Sequence, residues 1–245
     1  QRMNNTFFRF GGVAADCPPD WLEKVYKWAD EFEKKIWPEL MDLIAENPIF
    51  KERTVGIGVI PKDLAINLSL TGPLLRGSGI KKDLRKDEPY SVYPEFDFEV
   101  PIGKNGDTYD RFIVRMEEMR QSAKIIKQAV EKIPDGDVLI DDYKIVPPPK
   151  KIVYSQIEYL IHHFKIMSEG FLVPEGEVYA AVEGPKGEIG FYIVSDGSSK
   201  PYRFRIRPPS FINLQALEEI APGHLIADFI ALIGTIDIVL GEVDR

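Results

Sequence analysis

The histidine and cysteine side chains are the first candidates for chemistry in this sequence, and they are few. The histidines are His162, His163 and His224, and Cys17 is the single cysteine. Adjacent residues of a helix point about 100° apart, so His162 and His163 cannot easily share a metal ion. One thiol cannot hold an iron–sulfur cluster or a nickel centre, because both need several thiolates. The sequence therefore predicts no metal site of its own.

His224 and Asp228 are four residues apart in a stretch with helical character. This spacing places two side chains on one helical face and suits a hydrogen-bonded pair. A structural pair is favoured over a proton relay. The sequence contains no nucleophile elbow, P-loop or HExxH motif, and "GIGVI" and "RGSGI" lack the dinucleotide-binding fingerprint.

Three arginines alternate with apolar residues in "YRFRIR". Arg203, Arg205 and Arg207 would occupy one face of a strand, with Tyr202, Phe204 and Ile206 on the other. Guanidinium groups in a row can dock an acidic partner surface or cover an anionic site. A solvated outer face paired with nearby acids is an equally good interpretation.

The chain ends in "GTIDIVLGEVDR", a charged tail on an apolar run that extends from Leu225 to Leu240. A membrane-spanning helix needs about 20 apolar residues with almost no charge. Asp228 and Asp237 interrupt this run, so it is predicted to be a buried core helix. Asp237 lies within this run, and Glu242, Asp244 and Arg245 follow it, so a charged tail is attached to a segment that is expected to be buried.

The elements that must position these residues are mostly helices. Helical periodicity covers residues 18–47, with Pro38 kinking or breaking the helix, and residues 107–136, 155–171 and 225–240. Residues 53–60 are predicted to be a strand or extended piece, 68–106 a long irregular loop, and 176–207 an antiparallel three-stranded meander. The predicted fold class is α+β, mainly α, with one domain over residues 1–245. A net charge of −8 argues against nucleic-acid binding.

Several segments resemble the NuoD, or 49-kilodalton-type, subunit family of respiratory complex I. They include "RFGGVAADCPP", "NPIFKERTVGIGV", "LLRGSGIKKDLRKDEPYSVY", "RMEEMRQSAKIIKQ" and "GHLIADFIALIGTIDIVLGEVDR". The segments follow one another in the family's order and span essentially the whole chain. This resemblance implies the fold of the large subunit of nickel–iron hydrogenases, with a small antiparallel meander.

The function implied by the resemblance is that of a subunit of proton-pumping NADH:quinone oxidoreductase, inactive alone. Such a subunit lines the quinone-reduction cavity beside a [4Fe-4S] cluster that a partner subunit holds, and it binds no cofactor itself. The implied partners are the cluster-bearing B-type and the C-type subunits of the peripheral arm, the membrane arm and quinone. The implied location is the cytoplasmic face of the inner membrane, as a peripheral protein.

The resemblance also assigns site residues near the two ends of the chain. Val239 resembles a wall residue for quinone, while Asp237, Glu242 and Asp244 would tune the local field or hold Arg245 near the cluster. At the start, Arg2 and Asn4 would lie close to the cluster. The alternative to these roles is a buried charge network without a direct part in reduction.

Two departures from the family pattern matter. Asn4 replaces the usual histidine and does not titrate, so a lower and less pH-dependent cluster potential is expected, suiting a quinone such as menaquinone. The family's N-terminal segment, with the hairpin that contacts the quinone headgroup, is absent from this sequence. Two other functions remain open, namely the large subunit of an energy-converting hydrogenase and a structural scaffold of the peripheral arm.

Overall fold

The computed structural model describes residues 7–244 as a mixture of helices and small sheets. Its α-helices are α1 (Trp21–Glu31), α2 (Trp37–Leu40), α3 (Pro48–Glu52), α4 (Lys62–Asn67), α5 (Pro73–Gly77), α6 (Leu84–Asp87), α7 (Thr108–Lys132), α8 (Lys150–Val153), α9 (Ile157–Ser168), α10 (Pro209–Leu214), α11 (Ala216–Ile220), α12 (Ile226–Ile236) and α13 (Leu240–Asp244). Its strands are β1 (Phe8–Arg9), β2 (Gly12–Val13), β3 (Gly176–Gly184), β4 (Gly187–Ser195) and β5 (Arg203–Arg207). This composition agrees with the predicted mainly helical α+β class.

The described chain separates into two compact units. The larger comprises Glu23–Lys132, Tyr179–Phe191 and the residues from Ile206 onward, and it contains α1–α7 and α10–α13. The smaller comprises the residues up to Leu22, Ile133–Val178 and Tyr192–Arg205. In the smaller unit, β1 and β2 pair antiparallel, and α8 packs on α9. The prediction of a single domain remains a prediction.

The predicted meander is confirmed. Strands β3, β4 and β5 form a three-stranded sheet in that order. Pro185 and Lys186 alone join β3 to β4, a connection short enough only for antiparallel neighbours. The local alternation of apolar and polar residues, with turn residues between, was sufficient to predict this sheet.

Of the three arginines of β5, one pairs with nearby groups of the protein and two are exposed. Arg207 Nη1 lies 3.5 Å from Glu188 Oε1 on β4, and its Nη2 donates to the Ser69 carbonyl oxygen at 3.3 Å. Arg203 and Arg205 are exposed. Arg207 is therefore paired within the protein, and docking by the other two arginines stays a prediction.

Pro38 does not break the first long helix. The chain passes from α1 through a π-helical turn, Phe32–Ile36, into α2 and then through a second, Met41–Ala45. Proline lacks an N–H and its ring clashes with the preceding turn, so wider π turns let the helix continue around it. Trp37 in this region anchors to α7 by donating its Nε1–H to the Met116 carbonyl oxygen at 2.8 Å.

The sequence predictions for residues 53–60 and 68–106 are wrong. Residues 53–60 form turns, not a strand, because Gly56 and Gly58 adopt left-handed backbone conformations with φ of 72° and 60°. Residues 68–106 are not uniformly irregular, since they contain α5, α6 and a 3₁₀ turn at Tyr93–Glu95. The glycines and prolines of this segment cap and start short helices instead of keeping the chain open.

The hydrophobic core of the larger unit lies between α4, α5, α11 and α12. Its buried residues include Leu70, Leu74, Ile220, Leu232 and Ile236. Only one face of α12 contributes, since Ile226 is 88% and Ile230 is 71% exposed. The prediction that the terminal apolar run is wholly buried is therefore wrong for the described chain. Among residues 7–244, no helix is long and apolar enough to cross a membrane.

Arg111 joins α7 to this core. Its side chain is fully buried, and it donates to Gly106 O at 2.7 Å, Gly58 O at 2.9 Å, and the hydroxyls of Thr108 and Thr235, both at 3.1 Å. Burial lowers the pKa of Arg111 to about 10, so the guanidinium stays protonated at neutral pH. All of these donors therefore remain available to hold α7 against α12.

A close approach of two glycines places the β3–β4 turn. Gly72, with φ of 67°, begins α5, and a Cβ added to it would lie 2.5 Å from Gly187 Cα. Asn213 of α10 donates from its Nδ2 to the carbonyl oxygens of Thr71 and Lys186, at 3.3 and 3.1 Å. The turn that carries Lys186 is thus held by backbone contact and not only by side chains.

We expect Gly72→Ala to lower the free energy of unfolding by about 1–3 kcal/mol, because the methyl group meets backbone atoms and the left-handed φ strains alanine. Urea denaturation followed by circular dichroism measures this. Gly241→Ala in α13 is the matched control, since a Cβ there meets nothing within 4 Å. The control should be neutral or slightly stabilising. Equal stability of the two variants would contradict the proposed contact.

Candidate functional site

The C-terminal end of α12 has an unusual backbone conformation beside a cavity. Asp237 is the C-cap of α12 and adopts the left-handed conformation, with φ 58° and ψ 54°. Glycine or asparagine usually fills such a position, and other residues incur a strain of order 1 kcal/mol or more. In this conformation the Asp237 carboxylate is directed toward α7 and the β3–β4 turn.

Two cations face the Asp237 carboxylate. Lys186 Nζ makes a short ion pair with Oδ2, and Arg115 Nε lies 3.8 Å from the same oxygen. The Asp237 side chain is 40% exposed, so the group is only partly withdrawn from solvent. The end of α12, the middle of α7 and the β3–β4 turn therefore meet at one charged point.

Arg115 and Asp237 line two adjoining cavities in the larger unit. The first has a volume of about 610 Å³, and the second about 250 Å³. Phe112, Arg115 and Asp237 belong to the walls of both. The first volume lies within the range of small-molecule sites, which are mostly apolar with a few placed polar groups.

The charged side chains lining the first cavity balance one another. Its wall contains three arginines and three carboxylates, which are Arg76, Arg85, Arg115, Glu118, Glu183 and Asp237. Phe112, Met116 and Met119 supply apolar surface beside them. Because the cationic and anionic groups are equal in number, the cavity suits a neutral ligand with polar atoms better than a strongly charged one.

Arg76 is the buried centre of this charge network. Its Nε donates to Glu118 at 2.6 Å, while Nη1 donates to Glu183 at 2.8 Å and to the Lys82 carbonyl oxygen at 2.9 Å. The Arg76 side chain is 2% exposed and that of Glu183 is 5% exposed. Arg76 thereby ties α5 to α7 and to β3 at the wall of the first cavity.

Burial and pairing act in opposite directions on these groups. Burial alone would lower the pKa of Arg76, but Glu118 and Glu183 raise it above the ordinary value. Burial raises the pKa of Glu118, and Arg76 opposes this only in part. Burial would likewise raise the pKa of Asp83, but its hydrogen bonds to Arg85 dominate, and the pKa is lowered. Burial therefore disfavours the charged form of Glu118, a carboxylate of the cavity wall.

The site residues assigned from the sequence are not all brought together. Asp237 lies in the cavity walls, whereas Val239 N donates to Ser210 Oγ at 3.1 Å and Glu242 Oε2 accepts from Ser210 N at 3.1 Å. Val239 and Glu242 thus fix the terminal segment onto α10. Asp244 is exposed. Arg2, Asn4 and Arg245 lie outside the described residues.

The predicted pair of His224 and Asp228 is wrong. Helix α12 begins at Ile226, so His224 precedes it and the helical spacing does not apply. His224 Nε2 accepts from Gly58 N at 3.4 Å. Asp228 accepts from Leu225 N as part of the helix cap and pairs with Arg53 at 2.7 Å. Both side chains have structural partners on other segments.

Sequence reasoning missed the charged face of α7. Arg111, Arg115 and Glu118 follow one another at spacings of four and three residues, which places them on one side of the helix. This periodicity is present in "RFIVRMEE", but the apolar stripe of the same helix masks it. In the part of the chain that the structure describes, no group of three or more His, Cys, Asp or Glu side chains is placed to hold a metal ion.

Comparisons with known proteins show the family to which the chain belongs. Residues 1–245 match the family described as the 49 Kd subunit of respiratory-chain NADH dehydrogenase. The chain is 55% identical over 244 residues to the D-type subunit of NADH-quinone oxidoreductase from Geotalea uraniireducens (strain Rf4), and 51% identical to that from Ehrlichia canis (strain Jake). Each alignment covers 100% of this chain but 62% of the relative, so the chain spans less than two thirds of their length. The chain belongs to the family of the 49-kilodalton subunit of respiratory-chain NADH dehydrogenase.

Proposed function

We propose that this chain is the C-terminal part of the D-type subunit of a proton-pumping NADH:quinone oxidoreductase and forms a wall of the cavity in which quinone is reduced. The observation that carries the proposal is the strained Asp237 at the junction of two cavities, in a chain of this family. The relatives are named as NADH-quinone oxidoreductase subunits, which supports quinone as the substrate. The activity belongs to the assembled complex, not to this chain alone.

The lining of the cavity supports a quinone as the ligand. A quinone is neutral, with an apolar ring and two carbonyl oxygens, and the walls combine Phe112, Met116 and Met119 with balanced charges. Reduction to the quinol takes up two electrons and two protons. We propose that the electrons come from a [4Fe-4S] cluster held by a partner subunit, because Cys17 alone cannot supply its thiolates. This chain's role is to bind and orient the quinone.

The terminal residues are proposed to complete this region in the full assembly. Val239 would contact quinone, and Glu242 and Asp244 would shape the field around it. Arg2, Asn4 and Arg245 would lie near the partner's cluster, and Asn4 would make the cluster potential lower and less pH-dependent than a histidine would. The contacts of Val239 and Glu242 with Ser210 support a fixed terminal segment.

We further propose a hydrogenase-large-subunit-like fold in a single domain, held among other subunits of the peripheral arm at the cytoplasmic face of the membrane. Partners would include the B-type and C-type subunits and the membrane arm. Exposed apolar side chains on several elements support burial in a larger assembly. They include Trp28, Leu43, Phe164, Ile226 and Ile230, which are between 55% and 88% exposed.

Photo-crosslinking tests the proposed function. In membranes that contain the assembled complex, an azido-quinone should label the segment from Asp237 to Asp244 or α7 between Phe112 and Met119. Excess unlabelled quinone should compete this label away. Labelling confined to other subunits would contradict the proposal and favour a scaffold role. Stoichiometric nickel in the purified complex would instead favour a hydrogenase large subunit.

A further inference from the structure

Arg115 has hydrogen-bonding capacity that the protein does not use. Its Nε–H is buried and, within residues 7–244, has no hydrogen-bond partner. Its Nη1 reaches only the Arg111 carbonyl oxygen one turn earlier, at 3.5 Å. Buried donors are nearly always paired in native proteins, so an unpaired guanidinium N–H calls for an explanation. Asp228 Oδ1 also lacks a hydrogen bond, but it is 2.7 Å from Arg53 Nη2 and so has an ionic partner.

The neighbouring buried arginines behave differently. Arg76 and Arg111 direct their guanidinium groups into networks of short contacts between 2.6 and 3.1 Å. Those two arginines hold the protein together. Arg115 lies one turn after Arg111 on the same face of α7 and lines the first cavity together with Arg76, yet it has no comparable network. Its position is therefore not explained by packing the helix alone.

Asp237 does not satisfy Arg115. The carboxylate oxygen is 3.8 Å from Arg115 Nε, too far for a hydrogen bond, because it is drawn toward Lys186. The left-handed backbone at Asp237 and the turn that carries Lys186 hold this arrangement. Arg115 itself belongs to the walls of both cavities, so its guanidinium group lies beside the space that a ligand would occupy.

We infer that Arg115 is a ligand-binding residue of this cavity and donates a hydrogen bond to a carbonyl oxygen of the bound quinone. This inference rests on the proposed function and assigns a residue to it. The apolar ring would lie against Phe112 and Met116, with one carbonyl oxygen directed at the guanidinium. A fixed cation also favours the oxygen as negative charge develops on it during reduction. Lys186 keeps Asp237 from occupying the same donor.

The test uses the assembled complex with the full-length subunit and compares Arg115→Met and Arg115→Lys. Losing a charged donor should raise KM for a short-chain quinone about ten- to a hundred-fold in Arg115→Met. Arg115→Lys keeps a cation but not the guanidinium geometry, so its KM should lie between those of wild type and Arg115→Met. NADH:ferricyanide reduction, which does not use the quinone cavity, should be unchanged and reports assembly.

Arg120→Met is the matched control, since Arg120 lies on the same helix and pairs with Glu117 outside the cavity walls. Its quinone KM should equal that of wild type. A quinone KM within two-fold of wild type in both Arg115 variants would overturn the inference. If Arg115→Met fails to assemble, the KM of Arg115→Lys decides the question. The two proposals can fail separately. If unlabelled quinone competes with photolabelling of the wild-type cavity but the quinone KM is unchanged in the Arg115 variants, the role of Arg115 is wrong and the proposed function still holds.

Discussion

Arg76→Met is expected to lower the free energy of unfolding by about 3–5 kcal/mol, because it removes one member of a buried ion network and leaves the others. Glu118 and Glu183 lose the guanidinium that lies 2.6 and 2.8 Å from them. Both carboxylates are largely buried and cannot recover water as a partner. The Lys82 carbonyl oxygen loses its donor as well.

The pH dependence of this variant identifies the cause. Without Arg76, which opposes the effect of burial, the folded-state pKa of Glu118 should lie further above its unfolded value, so this carboxylate favours folding only when protonated. The penalty is therefore full at pH 7 and shrinks as the pH falls toward about 4–5. In the wild type, burial already raises the pKa of Glu118. Urea denaturation of both proteins at several pH values measures the difference.

A double variant supplies the control for this prediction. Arg76→Met/Glu118→Gln removes one of the orphaned charges, so it should be more stable than Arg76→Met at pH 7 and less sensitive to pH. If Arg76→Met lowers the free energy of unfolding by less than about 1 kcal/mol and this loss does not depend on pH, the network is not buried and coupled as described.

Arg111→Met should lower the free energy of unfolding by about 2–4 kcal/mol. The change strands the buried carbonyl oxygen of Gly58, whereas that of Gly106 loses Arg111 but keeps its hydrogen bond from Ile60 N. Part of the loss is offset, because burial lowers the pKa of Arg111 to about 10 and the charge is itself disfavoured inside the protein. The expected effect is therefore smaller than that for Arg76.

Urea denaturation followed by circular dichroism measures this effect, with Arg120→Met as the control on the same helix. The Arg120 side chain is 30% exposed and pairs with Glu117 three residues away, so its replacement should change stability by about 1 kcal/mol or less. Similar losses in the two variants would mean that Arg111 does not hold α7 to the core.

Elements with local signals could be predicted from the sequence. The meander follows from the alternation of residues and the turn "GPKG", and α7 and α9 follow from periodicity. The glycine-rich stretches were misjudged because their role depends on what approaches them. Gly58 packs near Leu232 and Arg111, which no local pattern reveals. His224 and Asp228 failed as a pair for a similar reason, since the helix begins between them.

By itself, the sequence determined the family, the mainly helical α+β class and Asp237 as a site candidate. These follow from local patterns and ordered motifs, which survive without knowledge of how the chain packs. Only the tertiary structure decided the partners of the charges. Arg76 meets Glu183 across 107 positions, and Asp237 meets Lys186 and Arg115 from separate elements. Charge pairing depends on which elements pack together, and residue spacing carries no record of that.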